Sequence, residues 1–433
     1  MKSFWNRLPG YRRLVVLELY FVYFSLGVAV ILIGSVLPSL REANGLSYGQ
    51  SGNLLSIQSI GFLLIGLVTG EAVRRLGIKW SYVLTIAFLP VGMFMLVRGG
   101  SYVFLSAAMF LVGLSKGAIT DYNNRVISDY ANGEAGPINS LHIFFAIGAC
   151  LAPFVVLIMN RVSADKGWLY AMILSTALAA AAVVFGILAK TDLTGGTAGE
   201  AAETAEDAGR AGTKDSSADA VRAKASADNA AHTKASAASA ASNSLEFFRS
   251  PLFLWTLLIG ICDQALESSL MGWLTTYYLE TGIVSEAVAQ MTTSLLWVCF
   301  LIGRIGCMLI AMKWHPDRML LYMGIGTTVF TVFLAASVHA PILFLSTAGL
   351  GLCLSGVYGT AVSNASSIFS RYPSAMGLYV TIAGIGGAAA PAAIGWLSDL
   401  SSVRSGFWVL AGVAAILAFA VCMNLRSNKL VKS

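Results

Sequence analysis

The chain has 433 residues, 57% of them hydrophobic and 12% charged, with 43 Gly set against 10 Pro and a formal net charge of +6. A water-soluble protein of that composition would precipitate, so the bilayer is the solvent it fits. The positive balance does not point to nucleic acid, because the basic residues flank apolar runs instead of gathering on one polar face.

A hydrocarbon core takes about 20 apolar residues per helical crossing. Within lipid every backbone N–H and C=O must be bonded inside the protein, so the spans are helices or a closed barrel. Runs such as Leu14 to Leu40 and Val103 to Ile119 lack the alternation of barrel strands, and helices are expected. In chain order the spans are predicted near 14–40, 48–73, 80–97, 102–127, 137–160 and 168–189, then 251–278, 287–312, 318–338, 341–369, 374–398 and 405–425. The first apolar run is too long for a signal peptide and has no small-residue cleavage site after it, so it is expected to remain as the first span.

This layout predicts an all-α membrane protein with twelve transmembrane helices in two six-helix bundles, residues 1–190 and 246–433. Residues 191–245 between them contain no aromatic side chain and mix acids (Glu200, Glu203, Glu206, Asp207) with bases (Arg210, Lys214, Arg222, Lys224). They bury too little apolar surface to fold alone and are expected to be a disordered tether, with a regulatory or partner-binding segment as the alternative.

Lys2, Arg7, Arg12 and Arg13 precede the first span, and Arg74, Arg75 and Lys79 follow the second. Lys313 and Arg318 follow the eighth, Arg371 follows the tenth, and Arg426, Lys429 and Lys432 close the chain. The opposite loops carry fewer cations, so the positive-inside rule puts both termini and the 191–245 segment in the cytoplasm of a cell-membrane protein. Six cysteines lie in apolar segments without metal-ligand spacing and read as packing residues; no metal and no cofactor are expected.

An internal repeat supports two equivalent halves. Gly148 is followed by Ala-Cys-Leu-Ala and Pro153 in the fifth span, and Gly386 by Gly-Ala-Ala-Ala and Pro391 in the eleventh. Small residues let helices approach closely, and a proline removes a backbone bond where a helix bends. Parallel six-span repeats are one way transporters build two halves around a midplane site.

The stretch Gly70-Glu71-Ala-Val-Arg74-Arg75-Leu-Gly77-Ile-Lys79 resembles the cytoplasmic loop motif of the major facilitator superfamily, with Arg75, Gly77 and Lys79 matching and Arg74 standing where the family carries Asp. Glu71 is the candidate replacement for that carboxylate. Within the superfamily the chain is similar to the fucose/proton symporter-like group. Three places carry this: Asp121-Tyr-Asn123-Asn124-Arg125 with Asn139, His142 and Gly148; Glu267 six residues before Trp273 and Tyr277; and Gly303-Arg304 with Tyr358-Gly359-Thr360. The resemblance implies alternating access and cation-coupled sugar transport, with Arg74, Arg75, Gly77, Lys79, Gly148, Pro153, Gly386 and Pro391 in gating.

Charges within the spans argue for transport without any family. An ionised side chain at the membrane centre costs at least about 2.5 kcal/mol, so such residues normally face water or a partner. Asp121 and Arg125 lie on one face of the fourth span, as do Asp263 and Glu267 on the seventh. The first pair is either an intrahelical salt bridge or part of the pathway. The second pair repels when both are ionised, so one carboxyl should hold a proton, which suits a group that loads and releases it. Asp121, Asp263 and Glu267 are therefore the candidate ion-coupling residues. Glu18, one turn into the first span, reads as interfacial.

Candidate solute ligands are Gln58, Asp121, Asn124, Asn139, His142, Glu267, Trp273, Arg304 and Asn364, which offer donors, acceptors and an aromatic face to a polyol. Tyr277 and Tyr358 are further candidates, although Tyr277 near a span end fits an interfacial aromatic equally well. The sequence is thus read as a secondary active transporter of a small polar solute, with sugars among the candidates, coupled to protons or sodium. A proton-coupled efflux antiporter of amphipathic compounds and a transport-inactive sensor or scaffold are the alternatives. No phosphate loop, HExxH or GxSxG motif is present, so neither ATP use nor an enzyme is expected. The expected partners are the solute, the coupling ion and lipid, with no nucleic acid, for a monomeric carrier.

Overall fold

The computed structural model describes residues 2–131, 135–189 and 246–432; the 191–245 segment lies outside them. Among the described residues the secondary structure is helical throughout. The first half holds α1 (Lys2–Arg7), α2 (Gly10–Ala43), α3 (Tyr48–Arg98), α4 (Tyr102–Ala131), α5 (Ala135–Val162) and α6 (Gly167–Leu188). After a 3-10 turn at Glu246–Arg249, the second half holds α7 (Pro251–Thr281), α8 (Glu286–Ala311), α9 (Pro316–Ala336), α10 (Ala340–Leu354), α11 (Val357–Asn364), α12 (Ser366–Arg371), α13 (Pro373–Leu400) and α14 (Val403–Lys432).

Ten stretches are long and apolar enough to cross a membrane. The first part of α3 and the whole of α7 complete twelve. Both are less apolar because they carry polar residues inward: Gln50, Asn53 and Gln58 on α3, and Asp263, Gln264, Glu267, Ser268 and Ser269 on α7. Helix α3 counts as two spans because Gly77, at φ 73°, breaks it where the basic loop motif falls. The predicted tenth span, 341–369, is instead divided. α10 ends where the Ser355 hydroxyl turns back onto the Leu352 carbonyl (2.9 Å), and Asn364 closes α11 before the short α12.

The repeat seen in the sequence marks equivalent helix crossings. A Cβ on Gly148 of α5 would lie 2.2 Å from the Phe24 carbonyl oxygen of α2, and one on Gly386 of α13 would lie 1.9 Å from that of Ile261 on α7. Between the halves, a Cβ on Gly34 would sit 2.0 Å from the Met271 carbonyl oxygen, and one on Gly52 2.4 Å from that of Pro391. Backbone therefore packs on backbone at these crossings, as small residues permit in lipid. Large apolar side chains such as Val103, Ile158, Leu188, Met308 and Leu345 are exposed, and in a bilayer they contact acyl chains.

Candidate functional site

Six crossings in each half place both termini and the break at Gly77 on one face of the bundle; this is the termini face, and the other is the distal face. At the distal face the halves are bonded together. Asp399, at the end of α13, accepts from the Ser47 hydroxyl (2.8 Å) and from the backbone N–H groups of Tyr48 (2.7 Å) and Gly49 (2.8 Å). An acid from one half thus caps the N-terminus of a helix in the other, where free N–H groups and the helix dipole favour negative charge. Ser47 and Gln50 also close a capping box on the same turn.

Beside it, Glu280 accepts from the Arg41 guanidinium (3.3 Å) and from the Tyr48 hydroxyl, while Arg41 lies 4.1 Å from the Tyr48 ring centroid. Asn160 donates to Glu286 (3.3 Å), Gln290 to the Ser35 carbonyl (3.0 Å) and Ser294 to that of Cys150 (2.9 Å). These bonds link α5 and α2 to α8, so the closure continues toward the membrane centre.

Beneath the closure a pocket lies between the halves, with Gln58 and Ser59 of α3, Lys116 of α4 and Ser268 of α7 as its polar lining and Pro391 at its wall. The Gln58 Nε2 is buried and has no hydrogen-bond partner in the protein. Lys116 Nζ stands 5.2 Å from the centroid of the Phe62 ring, a cation–π arrangement that holds an ammonium without neutralising it. Glu267 precedes Ser268 and is half-buried. One turn away Asp263 is 1% exposed, and neither carboxyl oxygen has a partner.

Further charged residues stand toward the termini face. Asp121, Arg125 and Arg304 are exposed there, and among the described residues no ion pair joins Asp121 to Arg125. Arg304 lies 4.9 Å from the Phe300 ring centroid, and His142 meets Tyr23 edge-on at 5.9 Å. Asn124 is half-buried, with its Oδ1 unpartnered. Phe145 of α5 meets Trp297 of α8 at 5.5 Å across the halves, and the buried Trp297 Nε1 has no partner. The side chain of Asn139 lies outside the described residues.

Some expected ligands are held elsewhere. Trp273 is wholly buried and donates to the Pro391 carbonyl (3.2 Å), so its N–H is already bonded and its ring is packed inside the protein. Asn364 donates to Asn424 (2.7 Å) and accepts from Asn428 (2.7 Å); Asn424 donates to Thr256 and Asn428 to Asp317, each at 2.8 Å. That buried network ties α7, α9, α11 and α14 together and removes Asn364 from the pocket. Tyr277 bonds the Leu334 carbonyl and stacks on Phe407 at 4.0 Å, which makes it a packing residue of its own half.

Glu18 is not interfacial: it is 0% exposed, accepts from the Tyr82 hydroxyl (3.0 Å) and has a second oxygen without a partner. Around Gly77, Glu71 bonds Arg74 (2.7 and 2.8 Å) and Arg75 of its own helix, while Lys79 lies 5.9 Å from the Trp80 ring centroid. The carboxylate that replaces the motif's Asp therefore serves its neighbours in sequence. Pro153 and Pro391 sit inside α5 and α13, each five residues after its close-packed glycine.

Sequence reasoning passed over Ser59, Ser268 and Trp297, and it missed the distal closure of Arg41, Tyr48, Glu280 and Asp399. The only advance signal for that closure was the S-x-x-Q capping pattern at Ser47, which marks a helix start and says nothing of its distant partner.

The sequence model of the Major Facilitator Superfamily matches residues 19–365. The chain is 22% identical over 419 residues to the glucose/mannose transporter GlcP of Bacillus subtilis (strain 168), covering 95% of this chain and 94% of that one. Its fold is similar to that of a D-xylose-proton symporter, with a TM-score of 0.69 at 13% identity over 95% of this chain and 97% of the other. It is also similar to a single-substitution variant of the E. coli fucose:proton symporter FucP, with a TM-score of 0.58 at 15% identity over 96% of this chain and 99% of the other.

Proposed function

The chain belongs to the major facilitator superfamily, and from that premise we propose that it carries a neutral sugar across the cell membrane by alternating access, driven by a proton or sodium gradient. The observation that carries this reading is the bonding of the two halves at the distal face, with the charged Asp121 and Arg304 exposed nearer the termini face. With the termini in the cytoplasm, this is a carrier open inward. The sugar transporters among the similar proteins, GlcP by sequence and the xylose and fucose symporters by fold, support the substrate class.

In this reading the sugar binds between the halves where Gln58, Ser59 and Ser268 meet, at a cavity of about 20 Å³ that is water-sized in this conformation and enlarges as the halves part, reached past Asn124, His142 and Arg304. Asp263 and Glu267, one helical turn apart on α7, are the residues to which ion coupling is assigned. Asp121 relays ions at the mouth. Pro153 and Pro391 are the bending points, and the loop of Arg74, Arg75, Gly77 and Lys79 is the cytoplasmic latch. Residues 191–245 tether the halves on the cytoplasmic side, and the carrier works as a monomer.

The experiment is counterflow of labelled glucose into proteoliposomes preloaded with unlabelled sugar. Transient accumulation is expected, and Gln58→Leu should weaken it at least tenfold by removing a donor from the pocket. Proteoliposomes that show no counterflow with glucose, mannose, xylose or fucose would refute the substrate class.

A further inference from the structure

A second cavity, of about 580 Å³, lies at the distal face beside the closure, against about 20 Å³ for the pocket between the halves. We propose that it is a distal-face binding site for a neutral polyol, separate from that pocket and independent of the sugar-carrier reading. Its polar wall is made by Glu280 at the end of α7, Ser398 of α13, Ser401 and Ser402 in the turn that follows, and Arg404 of α14. Tyr48 of α3 is the first half's contribution. Ligand cavities commonly run from about 300 to 1,000 Å³, so this one has room for a small solute as it stands.

The charges in the wall already have counterparts. Glu280 Oε1 accepts from the Arg41 guanidinium (3.3 Å) and from the Tyr48 hydroxyl. Arg404 donates through Nη2 to the Ala336 (2.7 Å) and Ser337 (3.4 Å) carbonyls and through Nε to that of Ala335 (3.4 Å). These groups close the C-terminus of α9, where the helix dipole favours a cation. A charged solute therefore finds no unmatched charge to answer.

What the wall has left is hydrogen-bonding capacity. Among the described residues Glu280 Oε2 and Arg404 Nη1 make no bond, which leaves one acceptor oxygen and two N–H donors. Ser398 spends its hydrogen on the Ile394 carbonyl (2.7 Å) and keeps its lone pairs. A polyol hydroxyl both donates and accepts, so one molecule can use all of these. Ile283 and Val338 add an apolar side for its C–H groups.

The test is protection of an introduced thiol in proteoliposomes that carry the full-length protein. Ser402→Cys is labelled from outside by a membrane-impermeant maleimide, with Ser101→Cys on an exposed distal loop of the first half as the control. The wild type, whose own cysteines lie within the helices, sets the blank. Saturating glucose or sorbitol should slow the Ser402→Cys reaction at least tenfold and leave Ser101→Cys within twofold. Protection should persist alongside Gln58→Leu, which impairs the pocket between the halves, and glycine betaine, a zwitterion, should give none. Should Ser402→Cys fail to fold, Ser401→Cys takes its place. Protection short of tenfold, equal slowing of both thiols, its loss alongside Gln58→Leu, or protection by glycine betaine that matches sorbitol would each overturn the site. A chain that exchanges no glucose yet is protected by sorbitol refutes the carrier reading and supports this site.

Discussion

Asp399→Ala is the most direct perturbation of the distal closure. The carboxylate accepts three bonds from the other half, at 2.7, 2.8 and 2.8 Å, two of them from backbone N–H groups at the start of α3. Buried charge-assisted bonds contribute about 1.5–3 kcal/mol each. Asp399 is exposed, however, so solvent competes for every one of them. Losing a helix cap costs about 0.5–2 kcal/mol in proteins, and adding the lost helix-dipole interaction of about 0.3–1 kcal/mol gives roughly 2 kcal/mol for the substitution. Only the distally closed state makes these bonds, so the whole difference falls on the equilibrium between closed and open forms, a shift of roughly thirtyfold toward distal opening.

Spin labels on cysteines placed at Ser101 and His339, exposed positions on distal loops of opposite halves, would read that shift as a longer distance population. The exposed Arg41 to Glu280 bridge is a useful contrast, since such pairs contribute about 0–1 kcal/mol and Arg41→Ala should move the distribution less. If the distances in Asp399→Ala superpose on those of the wild type, Asp399 does not hold the closure.

Other substitutions address the frame around the path. Gly386→Leu drives a side chain into the Ile261 carbonyl and should destabilise the protein by about 1–3 kcal/mol, seen as a lower Tm in detergent; an unchanged Tm would contradict the close crossing of α7 and α13. Asn424→Leu leaves the Asn364 amide and the Thr256 hydroxyl without their shared partner and should cost about 1–3 kcal/mol in stability, with the pocket's preference among sugars intact. A change in that preference would return Asn364 to the site. Glu18→Gln keeps an acceptor for Tyr82 and removes a buried ionisable group, so its stability should equal or exceed that of the wild type, whereas Glu18→Leu orphans the Tyr82 hydroxyl and should melt earlier. Equal melting of the two variants would show that the bond contributes nothing.

The twelve crossings were legible because apolar length is a direct readout of bilayer thickness, and the break in α3 was legible because a glycine and four charged residues interrupt it. Pocket membership was not legible to the same degree. Neighbouring residues point about 100° apart around a helix, so one position separates pocket from wall: Gly272 and Ser268 line the cavity, while Trp273 turns its ring away and bonds Pro391. Asn364 looked like a ligand because a buried amide needs partners. Its partners Asn424 and Asn428 arrive from the last helix, about 60 residues later in the chain.

The distal closure was hidden for a related reason. Glu280 and Asp399 sit at span ends, where a charge ordinarily meets solvent, and their partners Arg41, Ser47 and Tyr48 are more than 230 residues away in sequence. Only packing brings them together. Glu18 was misplaced because the basic residues before it suggest an interface, whereas α2 sinks into its bundle within one turn and carries the carboxyl to Tyr82.

The central claim is that sugar movement is tied to protonation or ion binding at the acid pair of α7. It is tested most directly by labelled-glucose accumulation in proteoliposomes under imposed pH or sodium gradients, comparing wild type with Asp263→Asn and Glu267→Gln. The account predicts accumulation above the external concentration in the wild type, collapsed by an ionophore, with exchange but no accumulation in Asp263→Asn. Accumulation undiminished in both variants, or a wild type indifferent to every gradient, would contradict it.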